Sequence, residues 1–162
     1  MKREDTFDYN IKSVWHAFSR MYNKYGAEFQ LTTSTGFVLF NIDVVNGTPA
    51  TKIAPLLGLE SRSLTRILRN LEDKDWIYRK KDDEDRRSVR IYLTGQGIKK
   101  RDIARKSVIE LNKQIRSKIS NDDYNAFLFV IKTIKTVLED KNSLTNFMDK
   151  LIDRSIYDYA TT

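Results

Sequence analysis

Between residues 61 and 93 the apolar residues change from the period of a helix to the period of a strand. Leu64, Ile67, Leu68 and Leu71 recur at steps of three and four, so they share one face of a helix over about 61–74. Ser61, Arg62, Ser63, Thr65, Arg66 and Arg69 fall on the opposite face, and no acid stands between Ser61 and Asn70. Further on, Val89, Ile91 and Leu93 alternate with Arg90 and Tyr92, which is the two-residue period of a strand. Ile77-Tyr78-Arg79-Lys80 reads as its partner strand. The connection KDDEDRRS holds nothing apolar, so it must project into water or onto a charged partner.

The residues before this stretch read as helical support. Phe7, Ile11, Val14, Trp15, Phe18, Met21, Tyr22, Tyr25 and Phe29 make an aromatic-rich stripe on a helix over 6–30. A second helix, 34–46, is apolar nearly all round and should be buried through Val44 and Val45. Asn46-Gly47 stops it. Thr48-Pro49 then opens a short third helix, with Thr48 as N-cap and Pro49 in the first turn. Ile53, Leu56 and Leu57 should face the core. Pro55 should shorten or kink this helix, because its ring crowds the carbonyl of Thr51. Gly58 supplies the turn into the 61–74 helix, which Glu60 should cap.

After the hairpin, Thr94 caps a long helix over 95–118, in which Ala104, Val108, Leu111 and Ile115 form a narrow heptad-like seam. Ser120 or Asn121 restarts a helix to about 138, with Tyr124, Phe127, Leu128, Ile131, Ile134 and Leu138 on one face. A last helix over 143–157 carries Leu144, Phe147, Met148, Leu151, Ile152 and Ile156. Such a stripe left exposed on a monomer invites association.

The length, 162 residues, suits one domain with an appended helical arm. No cysteine is present, which excludes disulfides, thiolate catalysis and cysteine redox sensing. The one histidine, His16, argues against a histidine-built metal site, and no metal or cofactor is expected. The net charge is +7, and residues 60–106 hold most of it, with 15 Lys/Arg against 9 Asp/Glu. That distribution favours a polyanionic partner. No signal peptide and no membrane-spanning run are seen, so a cytoplasmic protein is expected.

A short helix, a glycine turn, a basic helix and a hairpin with a charged tip together resemble a winged helix-turn-helix. The residues are similar to those of the MarR (multiple antibiotic resistance regulator) family of bacterial transcription factors. The resemblance rests on Leu64-Thr65-Arg66-Ile67-Leu68 with Leu71, on Trp76-Ile77, and above all on Asp85-Arg86-Arg87 followed by Ile91, Leu93-Thr94 and Gly97. It covers residues 30–140 in helix order, and its motifs lie within 58–97. Asp75 stands where the family commonly has glycine, Glu60 replaces the usual cap, and the helix after 142 is longer than the family needs.

The resemblance implies a mainly α fold with a small β-hairpin wing. Residues 1–30 would be an N-terminal dimerisation helix, 31–97 the DNA-binding lobe and 98–162 a C-terminal dimerisation region. Ser61, Arg62, Ser63, Thr65, Arg66 and Arg69 would face the major groove. An arginine there can give two parallel hydrogen bonds to guanine. Lys80, Lys81 and Arg90, with Arg79, would meet phosphates, and Arg86 and Arg87 would enter the minor groove. By analogy, Asp85 would orient one of these arginines. The resemblance further implies a homodimer, double-stranded DNA as partner and a small aromatic effector, for which Trp15, Phe18, Tyr22 and Phe29 could line a pocket.

Two other classes compete. An enzyme would need a nucleophile and base in context, and none is seen; the carboxylates of Asp82, Asp83, Glu84 and Asp85 sit in a hydrophilic loop. A winged-helix module that binds protein instead of DNA would show no salt-dependent affinity for a duplex.

Overall fold

The computed structural model describes residues 1–82 and 88–140, and beyond them Thr145 and Asp149, both helical. The chain divides into two compact units, Met1–Leu111 and Asn112–Thr162.

The first unit opens with a short 3-10 turn, Arg3–Asp5, and helix α1, Phe7–Gly26, which a second 3-10 turn, Ala27–Phe29, prolongs. No residue of α1 is buried, although Phe18, Met21 and Tyr22 are partly covered. Helix α2 is Thr33–Phe40. Thr32 caps it: its hydroxyl accepts from the Thr35 amide, and the Thr35 hydroxyl accepts in return from the Thr32 amide at 2.8 Å. The helix ends well before residue 46. Asp43 accepts from the amides of Val45 and Asn46 at 2.9 and 2.6 Å, an Asx turn that competes with the helix. Val44 and Val45, expected in the core, are therefore exposed, Val45 at 82%.

Thr48–Pro49 forms strand β1 and not the start of a helix. It pairs antiparallel with strand β3, Val89–Leu93, Thr48 opposite Ile91 and Pro49 opposite Arg90. The Thr48 hydroxyl turns back to the preceding turn, accepting from the Asp43 amide at 2.9 Å, so it does not cap the helix that follows. Pro suits such an edge strand, where its missing N–H costs nothing. Helix α3 is Ala50–Leu56, with Pro55 inside its last turn. Ile53 and Ala54 are buried, whereas Leu56, expected in the core, is 65% exposed. Gly58, at φ +59, ends the helix, and the Leu59 amide reaches the Ala54 carbonyl at 3.0 Å.

Helix α4 is Ser61–Asp73. Leu64, Leu68 and Leu71 are buried as the spacing predicts. Glu60 occupies the N-cap position but its side chain makes no capping bond. At the other end Asp75 adopts the left-handed conformation, φ 55. The Trp76 and Asp75 amides return to the carbonyls of Leu71 and Glu72, both at 2.9 Å, which completes a glycine-type helix stop without glycine.

Strands β2, Ile77–Lys81, and β3, Val89–Leu93, pair in the register Ile77–Leu93 to Lys81–Val89. The sheet order is β1-β3-β2. Ile77, Ile91 and Leu93 close the core over Leu39, Ile42, Ile53, Leu64, Leu68 and Leu71. Thr94 caps helix α5, Gly95–Arg116, by accepting from the Gly97 amide at 3.0 Å.

In the second unit, helix α6 is Asn121–Glu139, capped by Ser120, whose hydroxyl accepts from the Asp123 amide. None of its residues is buried, and Phe127, Phe129, Val137 and Leu138 are 53–70% exposed. The helix expected over 143–157 lies outside the described residues, apart from Thr145 and Asp149. Among the described residues no helix is long and apolar enough to cross a membrane.

Candidate nucleic-acid interface

Helix α4 is held by one face and free on the other. Its three buried leucines anchor it, and Ser61, Arg62, Thr65, Arg66 and Arg69 are exposed on the outer side, with Ser63 half-buried at the margin. The Thr65 hydroxyl donates to the Ser61 carbonyl at 2.9 Å, which leaves its oxygen as an outward acceptor. No acid stands in the first turn. The outer face is thus cationic and rich in hydroxyls, with long side chains on a rigid support.

The hairpin stands beside it. Arg79 on β2 gives Nε to Glu72 Oε2 at 2.9 Å and so ties the hairpin to the end of α4. Lys80 and Lys81 are exposed. Lys80 Nζ lies 5.5 and 5.4 Å from the ring centres of Tyr78 and Tyr92, which stack on each other at 5.4 Å. That cation–π contact fixes the ammonium over the solvent side of the sheet. Arg90 behaves differently from a free phosphate contact. Its Nε and Nη2 both reach Asp82 Oδ2 at 2.9 Å, and Nη1 donates to the Asn46 carbonyl at 3.2 Å. Asp82 itself, expected in a water-facing loop, is 4% exposed. A carboxylate at that depth needs a charged partner, and Arg90 provides one. Asp85, Arg86 and Arg87 lie outside the described residues.

The sequence reading missed the Asp82–Arg90 pair. The signal lies in the strand register: with Lys81 opposite Val89, residue 82 falls opposite Ser88, and Arg90 is its diagonal neighbour. It also missed the placing of Trp76 between two lysines, with Lys74 and Lys100 Nζ 4.8 and 5.0 Å from its ring.

A second feature lies between α1, α2 and α5 within the first unit. An apolar cleft of about 60 Å³ is lined by Tyr22, Tyr25, Phe29, Phe37, Phe40 and Val108, among others. Of the four aromatics expected at a ligand pocket, Tyr22 and Phe29 line it. Trp15 packs on Phe37 at 5.7 Å and Phe18 on Tyr22 at 6.2 Å, so both support the wall from outside. Burial pushes the Tyr22 phenol above its ordinary pKa.

Residues 31–89, which hold α2 to the start of β3, match the model of the MarR family. Over these residues the chain is similar to the MarR family. Among curated proteins it is similar to the HTH-type transcriptional regulator SarZ of Staphylococcus epidermidis, 28% identical over 85% of this chain and 82% of that protein. SarZ of Staphylococcus aureus is 29% identical over 84% of this chain and 82% of its own length. Among solved structures, the transcriptional repressor CouR bound to a 23-mer DNA duplex superposes with a TM-score of 0.69 at 26% identity, covering 82% of this chain and 94% of that one. The Staphylococcus aureus MepR–DNA complex gives 0.73 at 24% identity, over 81% and 97%, a likeness of fold. The MarR-type lobe therefore consists of the helices, turn and hairpin whose outer surface is described above.

Proposed function

We propose that this chain is a sequence-specific, double-stranded DNA-binding transcriptional regulator, a ligand-responsive repressor that acts as a homodimer on a pseudo-palindromic operator. The observation that carries this reading is the outer face of α4, cationic, acid-free at its N-terminal end and exposed on a MarR-type lobe. In this reading Ser61, Arg62, Ser63, Thr65, Arg66 and Arg69 lie in the major groove, Lys80 and Lys81 meet phosphates, and Arg86 and Arg87 reach the minor groove, oriented by Asp85. The relatives' names as transcriptional regulators support it, as does the duplex bound by CouR.

The same reading makes residues 1–30 and 98–162 dimerisation segments flanking the 31–97 lobe. Phe7 and Val14 on α1 are 66% and 56% exposed, and Phe129 and Leu138 on α6 are 70% and 62% exposed. Apolar side chains on that scale favour association with a second copy. The cleft beside Tyr22 and Phe29 is the place for a small aromatic effector, which would shift DNA affinity only by binding one conformation better than the other. The protein would work in the cytoplasm, without catalysis and without a cofactor.

Selection of bound sites from a random duplex library tests the reading. The expected result is enrichment of an inverted repeat whose half-sites lie about 34–36 Å apart, as two recognition helices of a dimer require. Affinity for the winning duplex should fall steeply with salt, because phosphate neutralisation releases counterions. A library from which nothing is enriched would refute the proposal.

A further inference from the structure

The base of the wing is closed by a compact set of polar contacts. Past the last pair of the hairpin, Lys81–Val89, the Asp82 amide donates to the Ser88 carbonyl at 3.1 Å. The Asp82 carboxylate is turned inward, 4% exposed, and takes two nitrogens of Arg90 at 2.9 Å. The third guanidinium nitrogen donates to the Asn46 carbonyl at 3.2 Å, in the turn between α2 and β1. Beside it, Gly47 at φ +63 presses on β3 so closely that a Cβ would come within 2.7 Å of the Ile91 carbonyl oxygen and 2.8 Å of the Tyr92 ring. One side chain therefore joins the neck of the wing, the middle of β3 and a turn of the helical lobe.

We propose that Arg90 is a positioning residue for DNA recognition: it aims the wing by clamping Asp82 and the Asn46 carbonyl, and it does not itself contact phosphate. This rests on the DNA-binding reading above. All three guanidinium nitrogens are engaged by acceptors of the protein itself, and the side chain is only 20% exposed. Lys80, opposite it in the register, and Lys81 are exposed at the surface, where a DNA backbone could reach them. The clamp needs a planar fork; lysine offers a point charge and cannot reach both acceptors in this geometry. Asp82, a negative charge in a hairpin that meets a polyanion, strengthens DNA binding because it fixes the wing's direction.

The experiment uses the duplex that the wild-type protein selects from a random library. Affinities of Asp82→Asn, Arg90→Lys, Arg90→Gln and the Asp82→Asn/Arg90→Gln double variant are measured across a salt series, with footprints. The expected result is a loss of about tenfold for each single variant, the scale of a charge-assisted fork. The double variant should lose less than the sum of the two single losses, since both act on one shared contact. The salt slope should stay at its wild-type value, and protection should vanish at the flanks met by the wing while the centre met by α4 keeps it. A general loss of fold would weaken both regions together and overturn the proposal.

Tighter or unchanged binding by Asp82→Asn, as removal of a negative charge alone would give, also overturns it. So does a salt slope lowered by about one in Arg90→Gln and restored in Arg90→Lys, which marks a phosphate contact. If Asp82→Asn does not fold, the two Arg90 variants decide: a clamp loses affinity in both, a phosphate contact only in Arg90→Gln. A wild-type protein that selects no duplex removes the DNA-binding reading itself, a result separable from failure of the clamp.

Discussion

Gly97, in the first turn of α5, lies directly against the backbone of Trp76. A Cβ at this position would collide with the Trp76 carbonyl oxygen and come within 3.3 Å of the Leu93 side chain. The same carbonyl accepts from the Thr94 amide at 3.0 Å, and the Thr94 hydroxyl donates to the Asp75 carbonyl at 2.6 Å. The end of α4, the start of β2 and the start of α5 are thus packed backbone on backbone. Gly97→Ala should destabilise the protein by about 1–3 kcal/mol or more, the cost of forcing volume into a filled space. Urea unfolding measures it, and an unchanged midpoint would mean that the junction yields without strain.

Leu68 and Leu56 belong to neighbouring helices but have opposite surroundings. Leu68 is 2% exposed on the inner face of α4, and Leu56 is 65% exposed at the end of α3. Leu68→Ala should cost about 2–5 kcal/mol, the lost transfer energy plus a cavity. Leu56→Ala should stay within about 0.5 kcal/mol of wild type, as surface changes do. Chemical denaturation of both variants gives the comparison; equal losses would show that Leu56 is covered in solution.

The difference between these two leucines also marks how far the sequence could be read. The period of Leu64, Leu68 and Leu71 is long enough to fix a helix and its buried face, and the alternation through Ile91 and Leu93 fixes a strand. The short pieces between them were decided by contacts that a pattern does not carry. Thr48-Pro49 looks like a helix start by local chemistry, but pairing with Ile91 and Arg90 makes it a strand. Val44 and Val45 look like core, but Asp43 captures the amides that would continue α2. At the site, the outward face of α4 was legible because it follows from the inward face. The engagement of Arg90 was not, since charge alone does not distinguish an arginine facing a phosphate from one facing a buried carboxylate.

The Asx turn at Asp43 should respond to pH. Hydrogen bonds from the Asn46 amide and then the Val45 amide hold its carboxyl below the ordinary aspartate range. A group whose pKa is lowered by folding stabilises the native state above its unfolded value, about 3.9. That contribution is lost as the pH falls through the lower folded value. The stability difference between wild type and Asp43→Ala should therefore be constant at neutral pH and shrink below about pH 4. A carboxyl NMR titration checks the cause directly: a midpoint at or above that of a free aspartate would remove the turn from the account.

Arg62, Arg66 and Arg69 share the outer side of α4, and the proposed DNA-binding reading gives them different work according to their positions along it. The N-terminal part of a recognition helix meets base edges, whereas residues nearer its end face the backbone. In that reading Arg66, one turn after Arg62 and within that N-terminal half, would meet a guanine, and Arg69 a phosphate. Arg66→Ala should cost about 1–3 kcal/mol of discrimination at one base position while leaving dimerisation intact. Arg69→Ala should weaken binding evenly across sequences and lower the salt slope by about one. Binding to a panel of duplexes that differ by single base pairs from the selected site, repeated across a salt series, separates the two effects. If Arg66→Ala keeps the wild-type base preference at every position, α4 does not read the major groove in the orientation argued here.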